Sequence, residues 1–304
     1  MTEYQEKLLV TFKVFDQFCE ENNLMYFAAF GTCLGAVRHH GFIPWDDDMD
    51  VFMMRTDYER FLSLRYKLID TSYCIKDFKD GDYPLPFAKF YSTDSSIWEV
   101  RKYPYIVGPW IDIFPIDESN DSKAVQTLYG DYKSAFLKYR RALAYVSWDE
   151  IWFYVRYGKI FYALTKTVNK CFYTPLKKFY YKRILALINR IGEIHGPYYR
   201  YWGVIIDNKS YNKDWFSDIV NVAFEDTFIS CPIGYHEYLT TEYGDYMTLP
   251  PKEQRQKSHP CLYIDLNNKK TIEEILSEIK ILGRNLYQED KPYTLSGILK
   301  GLIH

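Results

Sequence analysis

Four of the five residues from Asp46 to Asp50 are aspartates, with Met49 the exception. Two carboxylates about 4 Å apart repel by about 1 kcal/mol in water and by about 4 kcal/mol near a protein surface. A fold gathers them around a cation, around a shared proton, or in full contact with solvent. Residues two apart on a strand share a face. A strand over Asp48–Met53 therefore projects Asp48 and Asp50 together and turns Met49 and Val51 to the core, and Asp46 joins that side if the strand starts early. Hard carboxylate oxygens suit Mg2+ or Mn2+ rather than zinc. An exposed acidic turn accounts for the same letters. A calcium loop of the EF-hand kind fits less well, because its sixth position is Val51 rather than Gly and its twelfth is Asp57 rather than Glu.

Two further features extend the cluster. Gly31-Thr32 follows a short apolar run and opens a helix, where backbone N–H groups and a hydroxyl can hold phosphate oxygens. Asp112 lies inside the strand-like run Trp110–Phe114, where an acid is costly unless paired or metal-bound. Gly-Thr, then Asp-x-Asp on one strand, then a single Asp on a later strand is the layout of the nucleotidyltransferase superfamily, in which two metal ions are held by the acids and the nucleotide phosphates.

The elements that must position these groups follow from periodicity. Leu8, Phe12, Phe15 and Cys19 recur at helical spacing, predicting a helix over residues 3–21 that Asn22-Asn23 ends. Leu24–Phe30 reads as a buried strand, Gly31-Thr32 as a turn, and the following residues as a helix to about Arg38. Thr56 with Glu59 gives a capping-box signal for a helix through about Tyr66. Tyr73–Phe78, Phe87–Tyr91, Ile97–Val100 and Trp110–Phe114 are strand candidates, the last ended by Pro115. Residues 119–190 turn helical. Asp218–Phe224 and Asp226–Ile229 read as strands, Tyr235–Tyr243 as a helix stopped by Gly244, and Thr271–Leu282 as an amphipathic helix. The expected class is α+β: a nucleotidyltransferase-like mixed sheet flanked by helices, with a helical insert. The expected division is a catalytic core over 1–118, a basic, aromatic-rich helical insert over 119–200 and a return to the core over 201–304.

Bulk properties narrow the classes. The 304 residues allow a substantial core, and 26% charged residues argue against wholesale disorder. Aromatic residues make up 19%, with 30 Tyr, which suits core edges, sugar-binding surfaces and membrane interfaces. The six cysteines show no Cys-x-x-Cys spacing, so no zinc or redox motif is indicated. The N-terminus does not read as a signal peptide and no window has the length of apolar sequence that spans a membrane, which points to the cytosol. The net charge of −2 is unevenly distributed. Residues 131–190 carry thirteen Lys or Arg against three acids, a local balance of +10, so two surfaces with different partners are expected.

The run GTCLGAVRHHGFIPWDDDMDVFM closely resembles the signature of the LicD family, which includes bacterial phosphocholine transferases and is related to fukutin and fukutin-related protein. PFAKFYST at 86–93, WIDIFPID at 110–117, Phe224-Glu225-Asp226, and YGDYMTLPP at 243–251 followed by His259 resemble family segments in the family's order. The likeness covers about 20–117 and 215–262. It implies transfer of a phospho-alcohol from a CDP-activated donor to a glycan hydroxyl. The donor would be CDP-choline with CMP leaving, or a donor of ribitol phosphate, glycerol phosphate or a sugar phosphate by the same chemistry. Asp48 and Asp50 match the family's metal-binding pair, Asp46 an additional acid and Asp112 the third strand acid. Phe-Glu-Asp departs from the usual Phe-Glu-Gly.

On that resemblance, Mg2+ or Mn2+ on Asp48 and Asp50 would bridge the donor pyrophosphate, and Asp112 would take the acceptor proton. Thr32, Arg38, Lys89 and His259 are candidates for holding phosphate oxygens, with His39 and His40 as further contacts. Trp45 and Trp110 are candidates for a choline cage. The basic, aromatic stretch within 131–190 is expected to face anionic lipid or a phosphate-bearing polymer, beside a lipid-linked glycan acceptor. No nucleic acid is expected as a partner, and a cytoplasmic location is expected, with peripheral attachment to the inner face of the plasma membrane as one form of it. A non-catalytic nucleotide- or metal-binding module is the reading from another class.

Overall fold

The apolar stripe expected at the N-terminus forms helix α1 (Glu3–Glu21), with Leu8, Phe12, Phe15 and Cys19 buried. Thr2 and Gln5 cap it reciprocally, each side chain accepting the other's backbone N–H. These elements come from a computed structural model that describes residues 1–100, 102–203, 209–255 and 261–281.

After α1 come β1 (Phe27–Ala28), α2 (Phe30–His39), β2 (Asp50–Met54), α3 (Arg55–Ser63), β3 (Tyr73–Lys76), β4 (Ala88–Ser92), β5 (Ser96–Trp98) and β6 (Trp110–Ser119). Four helices follow: α4 (Lys123–Leu143), α5 (Trp148–Arg156), α6 (Ile160–Val168) and α7 (Lys177–Gly192). The chain then runs through β7 (Tyr198–Tyr201), β8 (Ser210–Asn212), β9 (Ile219–Phe224), β10 (Thr227–Pro232), α8 (Tyr235–Tyr243), β11 (Tyr263–Asp265) and α9 (Ile272–Ile281). The predicted last helix ran one residue further, to Leu282, which lies outside the described residues.

Among the described residues the main sheet has seven strands and is mixed, as the α+β reading required. Its centre is the parallel pair β2–β6, with β1 antiparallel to β2 and with β4 and then β3 on the other side of β6. The far half of β6 pairs with β7, which carries β8. Strands β9 and β10 form a separate hairpin, and β5 pairs with β11. The largest core lies between this sheet and α1, α2, α3 and α8. Separate, smaller clusters join α4 to α7, surround Trp110, join α5 to α6, and join β5 to α9.

Five local expectations change. The strand expected over Leu24–Phe30 shrinks to two residues, because Phe30 already starts α2 at a positive φ of 42°. Gly31-Thr32 is therefore in the first turn of α2 rather than in a turn before it. The strand expected from Asp48 begins at Asp50, leaving Asp46 and Asp48 on the preceding loop. Thr56 does not cap α3, since the helix starts one residue earlier and Glu59 bonds Lys79 instead.

Pro115 does not end β6. The Asp112 amide donates towards β2, at Met49 O (2.8 Å), so by alternation position 115 faces the opposite edge. There β4 has ended, opposite Ile113, and β7 begins only at Ile116. The missing N–H thus falls in a gap of the ladder, where proline is tolerated.

Candidate active site

Asp50 and Asp112 are neighbours in register at the start of the parallel pair β2–β6. Their side chains share a face of the sheet. Both backbones are pinned: the Asp112 amide reaches Met49 O, and the Asp50 amide donates to Thr32 Oγ1 at 2.8 Å. The amide of Ala29, just before α2, donates to Asp50 O at 2.9 Å. These bonds fix the first turn of α2 against the first residue of β2.

The loop carrying Asp46 and Asp48 is held from α1. Gln5 Nε2 donates to Asp46 O at 3.0 Å, although Gln5 is 41 residues away and gave no sign of a role in the sequence. Gly31 supplies the room, because a Cβ there would overlap Asp46 Oδ2. The N-terminus of α2 has no side-chain cap of its own. The phenolic oxygen of Tyr238, on α8, accepts the Phe30 N–H at 2.8 Å instead.

This crowding shows in proton affinities. Burial, and next the neighbouring Asp48, push Asp46 up to about 8. Asp50 is raised well above the usual carboxylate range, by burial first and then by Asp48, Asp112 and Asp46, with Lys89 opposing. Asp112 is raised by burial against the pull of Lys89. Asp46 therefore holds a proton near neutrality unless positive charge is brought to it.

The acids open onto a cavity of about 700 Å3. Asp46, Asp48 and Asp50 line one side with Gly31 and Arg38, and Trp45, Tyr243, Tyr246 and the Thr248–Pro251 segment line the rest. Arg38 Nη1 donates to Tyr246 O at 2.7 Å, tying the end of α2 to that segment. The Arg255 guanidinium lies 5.4 Å from the centre of the Trp45 ring and donates to Pro250 O at 2.8 Å. Burial, and among charges Arg255, lowers the proton affinity of Arg38, so the two guanidiniums feel one another.

Residues 23–155 match the family described as LicD/FKTN/FKRP, nucleotidyltransferase domain. A lipopolysaccharide cholinephosphotransferase LicD of Haemophilus influenzae is 30% identical over 268 residues, covering 84% of this chain and 95% of that protein. The chain belongs to the LicD family. Two uncharacterized Rickettsia proteins are similar over shorter spans. The Rickettsia typhi protein is 42% identical over 117 residues, 38% of this chain and 30% of its own. The Rickettsia prowazekii protein is 54% identical over 37 residues, 12% and 14%. As a LicD-type protein the chain is a phosphotransferase.

Within this LicD-family fold, some candidates from the sequence meet and others do not. Gly31, Arg38, Asp46, Asp48 and Asp50 surround one cavity, and Thr32 lies beneath with its hydroxyl oxygen accepting the Asp50 amide. Asp112 stands behind Asp50 rather than among the cavity-lining residues. Lys89, expected on phosphate, is 1% exposed, with its ammonium 2.9 Å from Asp112 Oδ1 and 3.5 Å from Glu99 Oε2. The same ammonium lies 3.9 Å from the centre of the Trp110 ring, so that ring already serves a cation and is buried away from any choline. His39 meets the edge of Trp45, and its imidazole is lowered by burial and by Arg38 and His40. His259 lies outside the described residues.

Glu225 acquires a role that the sequence left open. It turns the β9–β10 hairpin at a φ of 53°, and its carboxylate accepts the Phe42 N–H at 3.0 Å while its own amide donates to His40 O. A Cβ at Gly41 would overlap that carboxylate. The hairpin thus braces the exit of α2, which leads into the acid loop.

A hard divalent cation suits the donor atoms here. Asp112 is already paired with Lys89, whereas Asp46 and Asp50 are each raised by the carboxylates around them. Among the described residues, no three acidic, imidazole or thiol side chains already converge as a ligand set.

Proposed function

We propose that this LicD-family enzyme transfers phosphocholine from CDP-choline to a hydroxyl of a lipopolysaccharide-type glycan, releasing CMP. The observation that carries the reading is the composition of the cavity. Its acids, guanidinium and aromatic rings occupy one space, and a relative aligned along 95% of its own length is named as a lipopolysaccharide cholinephosphotransferase.

Phosphoryl transfer is chiefly positioning and charge neutralisation. Arg38, with Arg255 nearby, offers guanidinium groups to phosphate oxygens, in the planar geometry that suits them. Mg2+ or Mn2+, held by Asp48 and Asp50 with Asp46 or Asp112, would supply the charge that neutralises the pyrophosphate. Tyr243, Tyr246 and Trp45 present aromatic surface to the same cavity, and a trimethylammonium group, which cannot donate or accept an ordinary hydrogen bond, is recognised by such faces. The acceptor hydroxyl must lose a proton. Asp112, the base expected from the sequence, is buried against Lys89 and does not line the cavity; Asp46 does line it and is the candidate to receive that proton, and a well-placed base contributes about 10²–10⁴-fold. Asp112 stands beside Asp50 in register, with its amide bonded to Met49 O.

The acceptor in this reading is a lipid-linked glycan met at the inner face of the plasma membrane. No helix among the described residues is long and apolar enough to cross a membrane. The decisive experiment incubates the protein with CDP-choline, CDP-ribitol or CDP-glycerol, Mg2+ and a glycan acceptor, and follows CMP release and product mass. CMP release with a phosphocholine-sized increment on the glycan supports the assignment. Turnover of CDP-ribitol or CDP-glycerol alone moves the assignment to that alcohol, and product carrying CMP itself overturns the reaction type.

A further inference from the structure

Helices α5 and α6 pack together over a small core of Val146, Ile151, Tyr154 and Ala163, and Tyr154 stacks on Tyr162 at 5.6 Å. Their other sides are also apolar. On α5, Trp148, Trp152 and Val155 follow helical spacing and are exposed, Trp152 to 67%. On α6, Ile160 and Leu164 stand one turn apart and each is 59% exposed, with Phe161 beside them. Two adjacent helices thus each turn an aliphatic and aromatic stripe outwards, where a water-facing surface would carry charge.

The charge on this surface is predominantly positive, with the exposed Asp149 the exception. Between Tyr145 and Arg183 there are eight Lys or Arg and only two acids, Asp149 and Glu150. Glu150 is buried and neutralised by Lys166 at 2.6 Å. Arg156 and Lys159 flank the α5–α6 turn at Gly158 and are exposed, as are Lys178, Lys182 and Arg183 further along. Apolar and aromatic stripes interleaved with bases are the composition of a helix pair lying in a bilayer interface, with rings and aliphatic groups about 5–10 Å deep and cations at the headgroups. A second copy of this chain would bring the same positive charge against itself, so the charge disfavours self-association and favours an anionic partner.

We infer that the outward face of α5 and α6 is a peripheral docking surface for a membrane rich in anionic phospholipid. The inference does not depend on which group the enzyme transfers. It places the fold on a membrane by two independent attractions, apolar insertion and charge, neither of which suffices alone.

The test uses the full chain in a flotation assay with vesicles of phosphatidylcholine alone or mixed with phosphatidylglycerol. The protein should float with the mixed vesicles, stay behind with phosphatidylcholine, and detach as salt is raised. Trp152→Ser with Leu164→Ser, and separately Arg156→Glu with Lys159→Glu, should each lower partitioning by roughly tenfold or more. All four side chains are exposed, so circular dichroism and Tm should match the wild type. Failure to float with anionic vesicles at low salt overturns the inference, as does equal flotation of either double variant. A wild-type dimer that Trp152→Ser with Leu164→Ser converts to monomer also overturns it, by making the face a self-interface. Flotation by a protein inert towards CDP-choline supports the surface while removing the phosphocholine assignment.

Discussion

Lys89 and Asp112 meet inside the protein, with the ammonium 2.9 Å from Oδ1 and the Trp110 indole N–H donating to Oδ2 at 3.0 Å. A cation that the sequence offered to substrate is in fact the counter-charge of a strand acid. Burial alone would lower the proton affinity of Lys89, but Asp112 and Glu99 outweigh it and raise it. Lys89→Met leaves Asp112 buried without its partner, a loss of about 3–5 kcal/mol and a fall in Tm of about 10 °C. Adding Asp112→Asn should restore part of that loss in thermal melts. Full additivity of the two losses would remove the coupling claimed here.

Asp48→Asn and Asp50→Asn should lower transfer by at least about a thousandfold. Because Asp50 is raised by burial and by three acidic neighbours, its replacement relieves repulsion in the metal-free protein. Tm without divalent cation should therefore stay level or rise. The Tm increment on adding Mg2+, read by differential scanning fluorimetry, should disappear in both variants. Retention of that increment would remove these two acids from the metal assignment.

The raised Asp46 carboxyl gives a pH dependence with a definite sign. Unfolded, an aspartate titrates near 3.9; folded, Asp46 titrates at about 8. Between those values the folded state binds more protons than the unfolded one, so stability falls as pH rises from about 4 to about 8. In the presence of chelator, Tm should decline across this window, and Asp46→Asn should flatten the decline. A wild-type Tm that climbs from pH 5 to pH 8 under chelation would contradict the crowding described at the acid loop.

Gly31→Ala separates folding from catalysis. Alanine suits a helix better than glycine, so α2 should persist and Tm should change little. The added methyl group overlaps Asp46 Oδ2 and turns that carboxylate aside. Displacement by about 1 Å at a catalytic group lowers rates by about a hundredfold. Steady-state kinetics of a variant with unchanged Tm would show a fall in kcat, and wild-type kcat would mean that Asp46 has no part in turnover.

The acid cluster was legible because its repulsion is local: four carboxylates in five residues need an explanation before any fold is known. Helix α1 and the stop of α8 at Gly244 were legible for the same reason, one from apolar spacing and the other from a glycine with φ of 68°. Strand phasing paired Asp48 with Asp50 but placed the strand start two residues early, since a loop and an edge residue of a strand carry the same letters. What stayed hidden depends on contacts far apart in the chain. Nothing near Gln5 announces that its amide holds Asp46 O, nothing near Tyr238 announces that it accepts the first N–H of α2, and burial of Lys89 follows from a neighbour 23 residues on. Pro115 misled because a missing donor matters only where a partner strand stands opposite it.

The tie between Arg38 and Tyr246 spans 208 residues. A ribosome adding about 5–20 residues per second leaves an interval of roughly 10–40 s between them. Throughout that interval the emerging polypeptide carries its aspartates without the wall that encloses them. The cavity beside the acids therefore closes only after synthesis has passed Tyr246, long after the aspartates themselves have been made.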